Sequence, residues 1–338
     1  MIVTLTMNPA LDRTVQLDAP LEVGEVQQAV SSREDAAGKG INVAKVLAAA
    51  GTPVTAVLPL APGDPYAAAL SSQFGTLTPN NDEHGLVIEA VEITGEARVN
   101  LTITDPAGET TKINLAGPQL SAEAGERLIN ATVTAADGAS WLALCGSLPP
   151  GAGDDFYVRV IRAVRERAAK PPMIAVDTSG AALAETVAHG HPDLIKPNEI
   201  ELAELAGVPV PTGSGAEAVE GAAPEQPVLA RAVADIAGTL VPSRVGSALV
   251  TLGGDGAVLV TADGATHASI PPGVTVRSTV GAGDSSLAGY LLARVAGSAD
   301  SAALESAVRH GSATAALPGT RLATPEDLPQ GAVALTTL

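Results

Sequence analysis

An α/β fold, in which a mostly parallel sheet is covered on both faces by helices, follows from two observations. Short apolar runs of strand character alternate with longer Ala-rich helical patterns, the signature of repeated strand–helix–strand units. The 338 residues are also 46% hydrophobic, enough to bury a large core without staples. The best-marked strands are IVTLT at 2–6, VTAVL at 54–58, WLALC at 141–145, MIAVD at 173–177 and ALVTL at 248–252. Each is short, apolar and bounded by turn residues.

Between about 84 and 115 the texture changes, because LVIEAVEIT, ARVNLTIT and TTKINLA follow one another across the turns TGEA and DPAG with no helix between. This predicts an antiparallel β unit. With the segment at about 13–35 it would form a small sheet projecting from a single domain spanning 1–338, suited to a lid that excludes water. The stretch from Pro211 to Pro227 is rich in Pro, Gly, Glu and Ala and reads as a surface loop. Cys145 and Trp141 lie in a predicted strand and His310 on a late helix, all three read as structural.

A net charge of −18 argues against nucleic acid or an anionic membrane as partner. An anionic substrate must then be held by a few local cations or helix-end amides. One cysteine and five histidines make neither an internal disulfide nor a metal cluster, as expected of a cytoplasmic protein. The start MIVTLTMNPALDR lacks a basic segment followed by a long apolar run, so neither signal peptide nor membrane span is expected.

The sharpest motif is STVGAGDS, where Gly281, Ala282, Gly283 and Asp284 open an apolar-periodic helix. Bare amides at a helix mouth, with the positive end of the dipole, make an anion site. Asp284 there reads either as a helix-terminal acid or as a base beside transferring phosphate. A second motif, AAGKGINVAKVLAAAG at 36–51, sets Gly38 and Gly40 before another helix. Lys39 is followed by Gly40 rather than Ser or Thr, so this is not a Walker loop, and Val43 breaks the dinucleotide fingerprint. No Gly-x-Ser-x-Gly spacing occurs in GDSSLAG or CGSLPPG, which leaves serine-hydrolase chemistry without support.

The two glycine motifs, in this order and about 240 residues apart, together with NPALD at 8–12, CGSLPPG at 145–151, DTSG at 177–180, KPNEIE at 196–201 and TLGGDG at 251–256, resemble the ribokinase-like (PfkB) carbohydrate kinases. The resemblance covers nearly the whole chain. It implies a three-layer α/β/α core with a small β-sheet lid, and ATP and Mg2+ as cofactors. It implies transfer from ATP to a hexose monophosphate, fructose 1-phosphate at its 6-hydroxyl above all. Fructose 6-phosphate and tagatose 6-phosphate remain as alternative acceptors, and a non-catalytic sugar-phosphate-binding regulator as a different class.

By the same resemblance, Asp284 is the base and the amides of Gly281, Ala282 and Gly283 form the anion hole. Asp12, Gly38, Lys39, Asn42, Arg98, Asn100 and Ser147 would bind the sugar phosphate, with Arg98 as phosphate anchor. Lys196, Thr251, Gly253 and Gly256 would face the nucleotide, and Asn198 and Glu201 would hold magnesium through water. A homodimer joined through the lid is expected. Arg13 and Lys112 receive no role, and Leu317 leaves the adenine contacts there open.

Overall fold

The computed structural model describes residues 1–74, 85–211 and 228–338. The chain runs β1 (Ile2–Thr6), β2 (Ala10–Leu17), β3 (Ala29–Ala37), α1 (Lys39–Ala49), β4 (Val54–Leu60), α2 (Pro65–Phe74), β5 (Leu86–Glu92), β6 (Arg98–Thr104) and β7 (Thr110–Asn114). It continues α3 (Ala122–Ala136), β8 (Trp141–Cys145), α4 (Phe156–Arg167), β9 (Met173–Asp177), α5 (Gly180–His189), β10 (Leu194–Ile195), α6 (Glu199–Ala206) and α7 (Val228–Gly238). Last come β11 (Ser247–Thr251), β12 (Ala257–Thr261), β13 (Gly264–Ala268), α8 (Ala282–Val295), α9 (Asp300–Ala315) and β14 (Leu335–Thr337). The loop predicted at 211–227 lies, apart from Pro211, outside the described residues.

Ten strands form one sheet in the order β14-β13-β12-β11-β10-β9-β8-β1-β4-β5, parallel from β11 to β5 and antiparallel beyond. Buried on both faces, its strands send alternate side chains to two cores. Val3, Leu5, Leu142 and Leu144 pack with residues of α3, α4, α5 and α7, and Ile2, Trp141, Ala143 and Cys145 pack with those of α1, α8 and α9. The expected three layers are present. The chain works outward from β1 in one direction to β4 and β5, and from β8 in the other to β11, so the crevice beyond the carboxyl ends of β1 and β8 is the switch point where ligands bind.

The second sheet has the order β3-β2-β6-β7. One expectation for it needs correction. The segment at 86–92 does not join it: β5 pairs parallel to β4 at the edge of the large sheet, because its apolar side chains complete a face begun by β4. Within the small sheet β2–β3 and β6–β7 are antiparallel, and β2 and β6 run parallel. That parallel pairing sets Asp12 opposite Asn100.

Candidate active site

Glycine lets the two motif helices approach the sheet. A Cβ on Gly40 would lie 2.4 Å from Thr6 Oγ1 and 3.0 Å from the Leu5 carbonyl oxygen, so only glycine lets α1 close against the end of β1. Gly281 caps α8 in the left-handed region at φ 75°, and a Cβ there would lie 2.5 Å from Leu322. With both helices seated, Asn42 of α1 meets Asp284 of α8: its Nδ2 donates to Asp284 Oδ2 at 2.8 Å.

Asp284 is buried. Burial, reinforced by the charge of Asp177, pushes its carboxyl up to about 6, against the lowering influence of Lys39, the Asn42 hydrogen bond and Lys196. Among the described residues, the amides of Gly283 and Asp284 in the first turn find no backbone acceptor. Such unpartnered helix-mouth donors can receive an anion, whereas the Ala282 amide, expected among them, donates to the Thr279 carbonyl oxygen at 3.3 Å.

A cavity of about 550 Å3 opens before this turn, within the range of nucleotide-sized sites. Lys39, Lys196, Asn198, Glu201, Thr251, Gly253, Gly256, Gly281, Ala282, Gly283 and Asp284 all line it. A bridge between Asn198 and Thr251 extends the pairing of β10 with β11, which brings KPNE beside TLGG. The two glycines of that turn differ. Gly253 has open space around it, whereas a Cβ on Gly256 would lie 1.9 Å from the Ala268 carbonyl oxygen. Close packing on β13 alone is enough to require glycine at 256.

Asn198 and Glu201 form a capping box: Asn198 Oδ1 accepts from the amides of Ile200 and Glu201, and Glu201 Oε2 accepts from the Asn198 amide at 2.9 Å. The local structural role therefore exists. It leaves Glu201 Oε1 for a hydrated cation. Among the described residues no group of three or more His, Cys, Asp or Glu could hold a metal ion directly, and magnesium, which keeps its waters and binds substrate phosphates, fits such a sparse donor set.

On the lid side, Asn100 Nδ2 donates to Asp12 Oδ1 at 2.9 Å. Burial raises the Asp12 carboxyl, opposed by Asn100 and Arg98, and burial lowers the Arg98 guanidinium, opposed by Asp12. Arg98 Nε and Asn100 Oδ1 are buried with no hydrogen-bond partner, a state that a polar ligand would relieve. A smaller cavity of about 280 Å3 is lined by Asp12 and Asn42, with Arg33, Asp35, Lys45 and Arg321, but not by Arg98, Asn100 or Ser147. Ser147 is exposed and lies 3.5 Å from Asn8 Nδ2. Gly38, at φ 135°, would put a Cβ 2.8 Å from Thr6.

Two features escaped the sequence reading. Lys39, expected among the sugar ligands, turns to Asp177, whose role DTSG alone does not disclose: Asp177 Oδ1 is 2.7 Å from Lys39 Nζ and Oδ2 is 3.2 Å from Lys196 Nζ. An acid closing an apolar strand at the carboxyl edge of a parallel sheet was the available signal. Asp35, level with Asp12 in the β2–β3 register, accepts from Thr320 Oγ1 at 2.6 Å. No sequence pattern joins those two. Arg13 pairs with Glu34 on the lid, and His310 bonds the Ser306 carbonyl within α9.

The model of the pfkB family carbohydrate kinases matches residues 5–328. A 1-phosphofructokinase of Rhodobacter capsulatus is 36% identical over 301 residues, covering 88% of this chain and 84% of that protein. One of Haloferax volcanii is 35% identical over 329 residues, covering 97% and 95%. The crystal structure of phosphofructokinase-2 from Escherichia coli in complex with substrates and products superposes with a TM-score of 0.80 at 27% identity, covering 96% of each chain. With its glycine-capped α8, the buried acid in that helix's first turn and its small second sheet, the chain belongs to the pfkB family of carbohydrate kinases.

Proposed function

We propose that this protein transfers the γ-phosphoryl group of ATP directly to the 6-hydroxyl of fructose 1-phosphate, giving fructose 1,6-bisphosphate and ADP. The observation that carries the reading is Asp284: a buried carboxylate with its pKa raised to about 6, hydrogen-bonded to Asn42, in the first turn of a glycine-capped helix beside a nucleotide-sized cavity. The names of the relatives supply the acceptor.

In this reading Asp284 takes the proton of the attacking hydroxyl, and the amides of the α8 turn stabilise charge on the transferring group. Lys196 and Lys39 add positive charge at the cavity wall. Asn198 and Glu201 would hold magnesium through water, and a cation held there would supply positive charge for the phosphate oxygens. Asp12 and Asn42 bind sugar hydroxyls, and Arg98 with Asn100 and Ser147 receives the 1-phosphate, satisfying the buried Arg98 Nε and Asn100 Oδ1.

The whole chain acts as one kinase domain carrying the lid. It works as a homodimer, a reading supported by Val23 and Val26 of the lid, which are 97% and 99% exposed. Among the described residues no helix is long and apolar enough to cross a membrane. Together with the need for ATP, the lone buried thiol of Cys145 supports a cytoplasmic location. Phosphorus NMR of the product formed from fructose 1-phosphate tests the proposal: a second phosphoester on carbon 6 supports it, and one elsewhere overturns it.

A further inference from the structure

Asp177 ends β9 with its side chain fully buried, and it faces two ammonium groups from different elements. Lys39 comes from the first turn of α1 and Lys196 from the segment after β10. Lys196 is 5% exposed in its side chain, and its Nζ would be 3.3 Å from a Cβ on Gly283. One ammonium thus lies against the anion-hole turn. The other, 37% exposed, lines the same cavity. Asp177 itself is absent from the lining.

We propose that Asp177 is a positioning residue for phosphoryl transfer, fixing Lys39 and Lys196 at the cavity wall beside Asp284 without touching substrate. The inference rests on the kinase reading of the site. Two lysines on flexible stems would otherwise swing to the acid nearest them, and Asp284 shares their cavity. A bidentate carboxylate behind them supplies that counter-charge and leaves Asp284 to Asn42. Removing one partner of a buried ion group leaves the others uncompensated, so both ammoniums depend on Asp177.

The charges around Asp284 make the role readable. Asp177 faces it from β9, Lys39 from α1 and Lys196 from the segment after β10, with Asn42 as its hydrogen-bond donor. Asp177 opposes ionisation of Asp284, and the lysines favour it. Asp177→Asn therefore deletes a negative charge and frees two positive ones, and both changes favour the carboxylate.

The test measures kcat for ATP and fructose 1-phosphate against pH in the full chain, alongside carbon-13 NMR of the Asp284 carboxyl, which needs no substrate. Asp177→Asn should lose roughly 10²-fold in kcat, the scale of removing one anion-stabilising donor, with little change in the sugar-phosphate KM. Its acid limb and the Asp284 titration should both move to lower pH. Asp177→Glu should recover part of kcat. Normal kcat, or lost kcat with an unmoved titration, overturns the inference, the second outcome marking a structural role only. Should Asp177→Asn fail to fold, Lys39→Met must move the Asp284 titration to higher pH, and an unmoved titration there also overturns it. A carboxyl that titrates and shifts as described in a protein that phosphorylates no sugar overturns the kinase reading and leaves the ion group standing.

Discussion

Asn42 and Asp284 are 242 residues apart in sequence and joined by a 2.8 Å hydrogen bond, so the helix after the first glycine motif holds the carboxylate carried by the second. Asp284→Asn keeps an oxygen for Asn42 to donate to and removes the proton acceptor. Turnover should fall about 10²- to 10⁴-fold, the contribution of a positioned general base, while circular dichroism and ATP binding stay unchanged.

The pH dependence follows from the same residue. A carboxyl raised to about 6 by burial and by Asp177 is protonated, and useless as a base, below that pH. Rate profiles should therefore show an acid limb near 6 rather than near 4. The folded state also binds this proton more tightly than the unfolded state does. Asp284 thus favours folding least once pH has risen through 6, and Asp284→Asn should raise the melting temperature at pH 7.5. A limb near 4, or a lowered melting temperature, contradicts the assignment.

Much of this was legible in the letters. Glycines at 38, 40 and 281 mark close approaches that a side chain would not fit without strain, and the five strands announced themselves as short apolar runs between turns. What stayed hidden depends on partners far away in sequence. LVIEAVE suits either sheet, and only the exposed flank of β4 decides where β5 goes. Asn-x-x-Glu reads alike as a cap or a magnesium motif, and here the cap is formed. Asp35 and Thr320 meet across 285 residues, and Asp177 gains its meaning only when Lys39 and Lys196 converge on it.

Arg98→Ala separates binding from chemistry. A charged hydrogen-bond pair is worth about 1.5–3 kcal/mol, so KM for fructose 1-phosphate should rise on the order of 10- to 100-fold with kcat little affected. Steady-state kinetics decides. An unchanged KM removes Arg98 as the phosphate anchor.

The two glycines that bound the 253–256 turn should respond differently to alanine. Gly256→Ala drives a Cβ into the Ala268 carbonyl oxygen at φ 91° and should destabilise the protein by several kcal/mol, the upper end of overpacking plus left-handed strain. Gly253→Ala meets only the left-handed penalty, about 1–2 kcal/mol, since nothing lies within 4 Å. Thermal melts of the two variants check the order.

Val26, 99% exposed on the lid, should lose that exposure in a homodimer. Light scattering should give twice the mass of the 33.5 kDa chain, and Val26→Asp should shift the protein toward monomer. A wild-type monomer at micromolar concentration contradicts the dimer.

The decisive measurement is the specificity constant of the wild-type protein, with ATP and magnesium, for fructose 1-phosphate against fructose 6-phosphate, tagatose 6-phosphate and free fructose. Fructose 1-phosphate should exceed each of the others by at least about tenfold, roughly 1.4 kcal/mol of discrimination. A higher constant for either 6-phosphate, or no turnover of fructose 1-phosphate, contradicts the assignment.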